Sequence, residues 1–299
     1  MQFSTPITIP SSQIKIQPQD NLLFVGSCFA ENIGKRFAEN GFIATVNPFG
    51  VMYNPISILH TLDKLQSTVN SQQSTISTWD VAFFTLGTNH VYREKATGEI
   101  VDNCQKRPQQ LFQEEILSLE ECVSTLERIV SHPQLAHCKQ IIFTVSPIRY
   151  KKYGFHDSQL SKATLLLAIE QIVSKHTIPS HSSAVGMKNT NHSPYQHQEG
   201  GGAALYYFPA YEIVLDELRD YRFYSSDMIH PSEQAVDYVF ECFRKAHFSI
   251  EANTFFTEYQ PIKQAFNHKP FNPDSKEYKS FLATAQENLK VFHAKWFTE

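Results

Sequence analysis

The chain has 299 residues, with 26 Lys and Arg against 30 Asp and Glu and a formal charge of −4. Only 19% of residues are charged and 41% are hydrophobic, including 23 Phe and 13 Tyr, which excludes a disordered or tail-like chain. The slightly acidic balance excludes a basic footprint for nucleic acid, and no apolar run approaches the ~18 residues of a membrane span.

The first ordered element is the apolar run 22–25, closed by Gly26, which reads as a strand buried on both faces. A helix follows over the stretch ENIGKRFAEN, with Gly41 at the C-cap position, and then a strand over 42–46. Pro55 opens a second helix carrying Ile56, Leu59, Leu62 and Leu65 at helical spacing, and 68–78 reads as a polar surface loop. The run 81–86 ends at Gly87 as a third strand. Leu119, Cys122, Leu126, Ile129 and Val130 mark an amphipathic helix before a fourth strand over 140–145. Residues 160–173 read as a helix, 206–208 as a short fifth strand, and 235–243 as a late helix begun by Pro231. A C-terminal helical extension, 255–299, caps the main domain of residues 1–254, its helix-like sequence spanning 276–296.

This alternation predicts right-handed crossovers and a three-layer α/β/α sandwich with a mostly parallel, five-stranded, flavodoxin-like sheet. Ligands of such sheets bind outside the carboxyl ends of the strands. Those ends hold Gly26-Ser27-Cys28, Asn47-Pro48-Phe49-Gly50, Gly87-Thr88-Asn89 and Ser146-Pro147-Ile148-Arg149. The segment 176–202 carries His176, His181, His192 and His197 but no carboxylate or cysteine at ligand spacing, so it reads as an inserted polar loop and not as a metal site.

Five scattered cysteines without C-x-x-C spacing, and a polar start without a leader pattern, predict free thiols in a reducing cytoplasm. Cys28 stands apart. At a helix N-terminus the unpaired N–H groups and the dipole favour a thiolate, so a lowered pKa is expected. Ser27, its neighbour, is a candidate for the same role or for a helix cap. The pair Asp227 and His230, three residues apart, lets a carboxylate orient an imidazole. The Gly50 N–H and the Asn89 amide, with the nucleophile's own N–H, are candidate oxyanion donors.

The segment FVGSCFAENIGKRF, together with NPFGVMYNP, FTLGTNHVYRE, TVSPIRY, LSKATLL, YFPAYEIVLDELRDYRFY and DMIHPS, resembles the GSCFA-domain proteins and, through them, the SGNH (GDSL-like) hydrolases. The resemblance implies a nucleophile at Cys28, or at Ser27 in a register shifted by one, with Asp227 and His230 completing the triad. It implies oxyanion donors at Gly50 and Asn89, and substrate contacts at Tyr53, Asn54, Gly87 and Arg149. Three positions depart from the SGNH pattern: cysteine for serine at 28, Ser27 for the first-block aspartate, and His90 after Asn89. The expected activity is an acyl-ester hydrolase without cofactor, acting on a small-molecule or carbohydrate ester. The alternatives are an O-acyltransferase on a sugar, and a non-catalytic carbohydrate-binding module using aromatics such as Tyr53, Tyr92, Tyr206 and Tyr207. No nucleic-acid or membrane-spanning partner is expected, and the oligomeric state stays open.

Overall fold

A computed structural model describes residues 4–72, 78–104, 107–176, 196–197 and 202–297. Its centre is a parallel sheet of β1 (Leu22–Gly26), β2 (Ala44–Val46), β3 (Val81–Leu86), β7 (Gln140–Val145) and β9 (Ala204–Tyr207). The order is β2-β1-β3-β7-β9, with the two-residue β8 (Gln196–His197) antiparallel at the outer edge. Among the five parallel strands this is the 2-1-3-4-5 order of a doubly wound sheet. The expected three-layer sandwich is what the chain forms.

Alternation along the strands feeds two cores. Leu22 and Phe24 of β1 join Phe37, Phe83, Phe243 and Phe248 on one face. Leu23 and Val25 join Phe84, Phe143, Leu126 and Ile169 on the other. The first face is covered by α1 (Cys28–Ala38), the short α5 (Ala210–Glu212), α6 (Glu233–His247) and α7 (Ile250–Asn267). The second is covered by α2 (Pro55–Gln72), α3 (Leu119–Val130) and α4 (Phe155–Lys175). The last helix, α8 (Lys276–Phe297), packs on α7, and Phe255 centres that contact, 4.7 Å from the Phe42 ring and 4.8 Å from Phe292.

Several local expectations change. The polar run after Leu65 continues α2 to Gln72, because residues such as the exposed Ser67 and Thr68 cost a helix only tenths of a kcal/mol each, roughly. Gly41, at φ +85°, lies two residues past the Glu39 cap. Helix α6 begins after the Ser232 N-cap, and Pro231 instead bridges Tyr224. Helix α7 starts at Ile250 and runs through Pro261. The largest omission is a separate antiparallel sheet with β4 (His90–Glu94) between β5 (Ile100–Val101) and β6 (Phe112–Ile116). Its β6 strand is mostly exposed and polar, so apolar alternation does not reveal it. Most of the histidine-bearing segment lies outside the described residues; of its four histidines only the His176 side chain is described, and its ring donates to the Ile172 carbonyl at 2.8 Å. No helix among the described residues is long and apolar enough to cross a membrane.

Candidate active site

The strand ends are tied to one another by groups the turns leave free. Gly26 ends β1 at φ +148°, and a Cβ there would meet the Thr85 carbonyl at 2.3 Å, so only glycine lets β1 pass this close to β3. Gly26 N–H donates to Asn47 Oδ1 at 2.9 Å and its carbonyl accepts from Met52 N at 2.9 Å. The carbonyl of Tyr53 then accepts from Gly87 N (2.8 Å) and Thr88 N (2.9 Å). The loops after β1, β2 and β3 thus form one continuous floor.

Ser27 is fully buried. Its Oγ accepts from Phe29 N at 3.2 Å as the N-cap of α1 and donates to Ser146 Oγ at 3.1 Å. With both roles filled and no exposure, Ser27 is the cap of the helix that presents its neighbour. Cys28, the first residue of α1, is half-buried and its thiol faces the Tyr53 hydroxyl. The expected lowered pKa is not found. Burial pushes the thiol up and Glu31, one turn along, adds to the rise, which outweighs the lowering by the Tyr53 hydroxyl, the residue's own N–H and Lys35. The same burial, with the thiol beside it, pushes Tyr53 up to about 12.

The Asp-His pair forms as its spacing predicts. His230 Nδ1 and Asp227 Oδ2 are 2.6 Å apart, while Asp227 Oδ1 accepts from Ile229 N (2.8 Å) and His230 N (3.0 Å). These bonds, those from His230 first, hold the Asp227 carboxyl at about 2. Met228 takes φ +58° so that the loop can fold back on Asp227. With Nδ1 engaged, Nε2 is the ring's free nitrogen, and the side chain is 41% exposed. Arg149 anchors this loop: its N–H donates to Ile229 O at 3.1 Å and its Nη1 to Met228 O at 3.0 Å. Among the described residues no hydrogen bond joins His230 to Cys28 or Ser27.

Two oxyanion candidates are otherwise engaged. Gly50 N–H closes a turn onto Asn47 O at 2.8 Å. The Asn89 amide donates to Leu117 O at 2.8 Å and its N–H to Ser161 Oγ at 3.0 Å, fastening the post-β3 turn to the small sheet and α4. Of the proposed substrate contacts, Asn54 is buried and accepts from Ser57 N at 2.9 Å in the first turn of α2, and Tyr206 lies in the core at 3% exposure. Tyr53, Gly87 and Arg149 do sit at the strand-end edge. Gly87 leaves room for Tyr150, whose hydroxyl a Cβ would approach to 2.3 Å. The Tyr53 and Tyr150 rings meet edge-on at 6.1 Å, and Tyr153 stacks on His90 at 3.8 Å.

Sequence reading passed over Lys162. This lysine is 2% exposed, and its Nζ donates to Gly87 O at 2.6 Å and Ser146 O at 2.7 Å. Among the described residues it has no carboxylate partner. Its nitrogen lies 4.7 Å from the Tyr150 ring centroid, and burial moves its pKa well below the ordinary 10.5. The signal was available: Ser158, Lys162, Leu165, Ile169 and Ile172 recur on one buried helical stripe.

The GSCFA family model matches residues 21–78 and 60–243, and a model described as the GSCFA domain protein, C-terminal domain, matches 259–298. No curated protein matches the chain.

Proposed function

The chain belongs to the GSCFA family, and from that premise and the geometry of its strand-end turns we propose that it is an acyl-ester hydrolase of the SGNH type with Cys28 as nucleophile. The observation that carries this reading is the His230–Asp227 pair at 2.6 Å, with Nε2 left free at the carboxyl edge of the sheet. A thiol whose pKa burial has raised is protonated near neutral pH and needs a base at the moment of attack. An imidazole held by a carboxylate supplies one. Nε2 takes the thiol proton as Sγ adds to the ester carbonyl, then returns it to the departing alcohol. Water adds to the resulting thioester by the same base, releasing the acid and the free thiol. The Cys28 N–H, at the first position of α1 where no intrahelical acceptor exists, is the donor nearest the developing oxyanion. Burial of Ser27 supports Cys28 over its neighbour. Delivery of the acyl group to a sugar hydroxyl in place of water would make the same site an O-acyltransferase.

One observation favours a second reading, a carbohydrate-binding module without turnover: the Gly50 and Asn89 donors are both already bonded. Intact-mass spectrometry after incubation with p-nitrophenyl acetate separates the two. The hydrolase reading expects one added acetyl group on the wild type and on Ser27→Ala, none on Cys28→Ala, and slow acylation of His230→Ala. An unmodified wild type, or acetylation that survives Cys28→Ala, overturns it.

A further inference from the structure

Beside the Asp227–His230 loop lies a cavity of about 240 Å³ lined by Arg149, Val214, Leu215, Arg219, Asp220, Tyr221 and Tyr224. Two cations face it. The Arg149 guanidinium lies among three rings, 4.5 Å from the Phe155 centroid, 5.4 Å from Tyr224 and 5.7 Å from Tyr221, and it donates to the Met228 carbonyl. Among the described residues no carboxylate neutralises it. The Arg219 side chain has no hydrogen-bond or ion-pair partner among the described residues, although Asp220 is next to it. The Asp220 carboxylate is taken by Arg222, through the backbone N–H at 3.0 Å and Nε at 3.5 Å.

The backbone at Arg219 sharpens the point. It ends a π-helical turn, Ile213–Leu218, in the left-handed region at φ +45°, with its N–H on Val214 O at 3.2 Å. Glycine occupies such a position at lower cost, by ~1 kcal/mol. An arginine there places its guanidinium at the cavity rim at the expense of local stability, and π-turns of this kind gather at functional sites.

We propose that this cavity is an anion subsite, in which Arg149 and Arg219 hold the carboxylate or phosphate group of the ligand while Tyr221 and Tyr224 cover its adjoining carbons. A planar guanidinium binds either group through paired N–H donors, and two unneutralised cations favour a ligand of negative charge. Because Arg149 also carries the His230 loop through Ile229 and Met228, a bound anion is coupled through that arginine to the loop that bears the imidazole. Combined with the hydrolase reading, on which this clause rests, the substrate is an ester bearing an acidic group.

The subsite is tested without turnover, by calorimetric titration of the full chain with inorganic phosphate and with succinate. Asparagine tolerates the left-handed backbone, so Arg219→Asn removes the charge and keeps the turn. The wild type should bind at least one probe, the stronger one naming the group, and Arg219→Asn should weaken that binding by about tenfold. Absence of binding to either probe, or equal affinity in the variant, overturns the proposal. A second arm compares p-nitrophenyl acetate with mono-p-nitrophenyl succinate: the ratio of their kcat/KM values should favour the anionic ester and fall by about tenfold in Arg219→Asn. If neither ester turns over but the binding is lost in Arg219→Asn, the hydrolase reading fails and the subsite stands.

Discussion

Replacing Lys162 by methionine tests how the strand ends are held. Methionine fills a similar volume but cannot donate, so the carbonyls of Gly87 and Ser146 lose their buried partner. An unsatisfied buried carbonyl costs ~1–3 kcal/mol, and two of them predict a loss of roughly 2–6 kcal/mol for Lys162→Met where the wild-type amine is neutral. That loss should depend on pH in one direction. Burial lowers the lysine's folded pKa from 10.5, so between the two values the unfolded chain binds the extra proton and wild-type stability rises with pH. Below the folded pKa the wild type carries its full penalty, and above 10.5 it carries none. The slope for one proton is at most ~1.4 kcal/mol per pH unit. Across that interval below 10.5 the gap between wild type and Lys162→Met should therefore widen as pH rises, by up to ~1.4 kcal/mol per unit. Urea unfolding of both proteins across that range measures the gap directly, since titrations common to the two cancel. A gap that stays flat, or that widens toward low pH, refutes a neutral, desolvated amine.

The fit between Gly87 and Tyr150 predicts that Gly87→Ala destabilises by ~1–3 kcal/mol through overpacking against the Tyr150 hydroxyl. Tyr150→Phe in the same chain should recover part of it, and strictly additive melting shifts would count against the contact. The Asp227 carboxyl, held at about 2 by its bonds to the His230 loop, should stay ionised well below its ordinary 3.8. Its contribution to loop order is present above that ordinary value and is lost as pH falls toward 2. Carbon-13 titration of the carboxyl follows this, and a midpoint near 4 would contradict the geometry.

The β-α alternation was legible because fully buried strands such as Val81–Leu86 and Gln140–Val145 are unbroken apolar runs ended by Gly87 and Ser146. Asp227 and His230 were legible for a similar reason: their contact is local, three residues apart, and needs no knowledge of the rest of the chain. Long-range partners were not. Leu117 as the acceptor for Asn89, and Asn47 for Gly50, depend on turns that composition does not encode. The thiol pKa of Cys28 departs from expectation because the helix N-terminus is visible in sequence whereas burial, the larger cause of the rise, is not. The GSCFA resemblance holds over most of the chain, yet family motifs name positions and not hydrogen-bond partners.

The bonds that run from Ser27 to Ser146 and from Lys162 to Ser146 and Gly87 have a dynamic consequence. Catalytic and binding loops usually open at a fraction of the free energy that unfolds the whole protein. Here the turns after β1, β3 and β7 are fastened through side chains that are themselves part of the core, so none can fray alone. Their amide protons should exchange with the slowest cooperative unit, together with the central strands. The floor beneath Cys28 should melt only when the sheet does, while the more exposed His230 loop, held through the Met228 and Ile229 carbonyls, should exchange sooner.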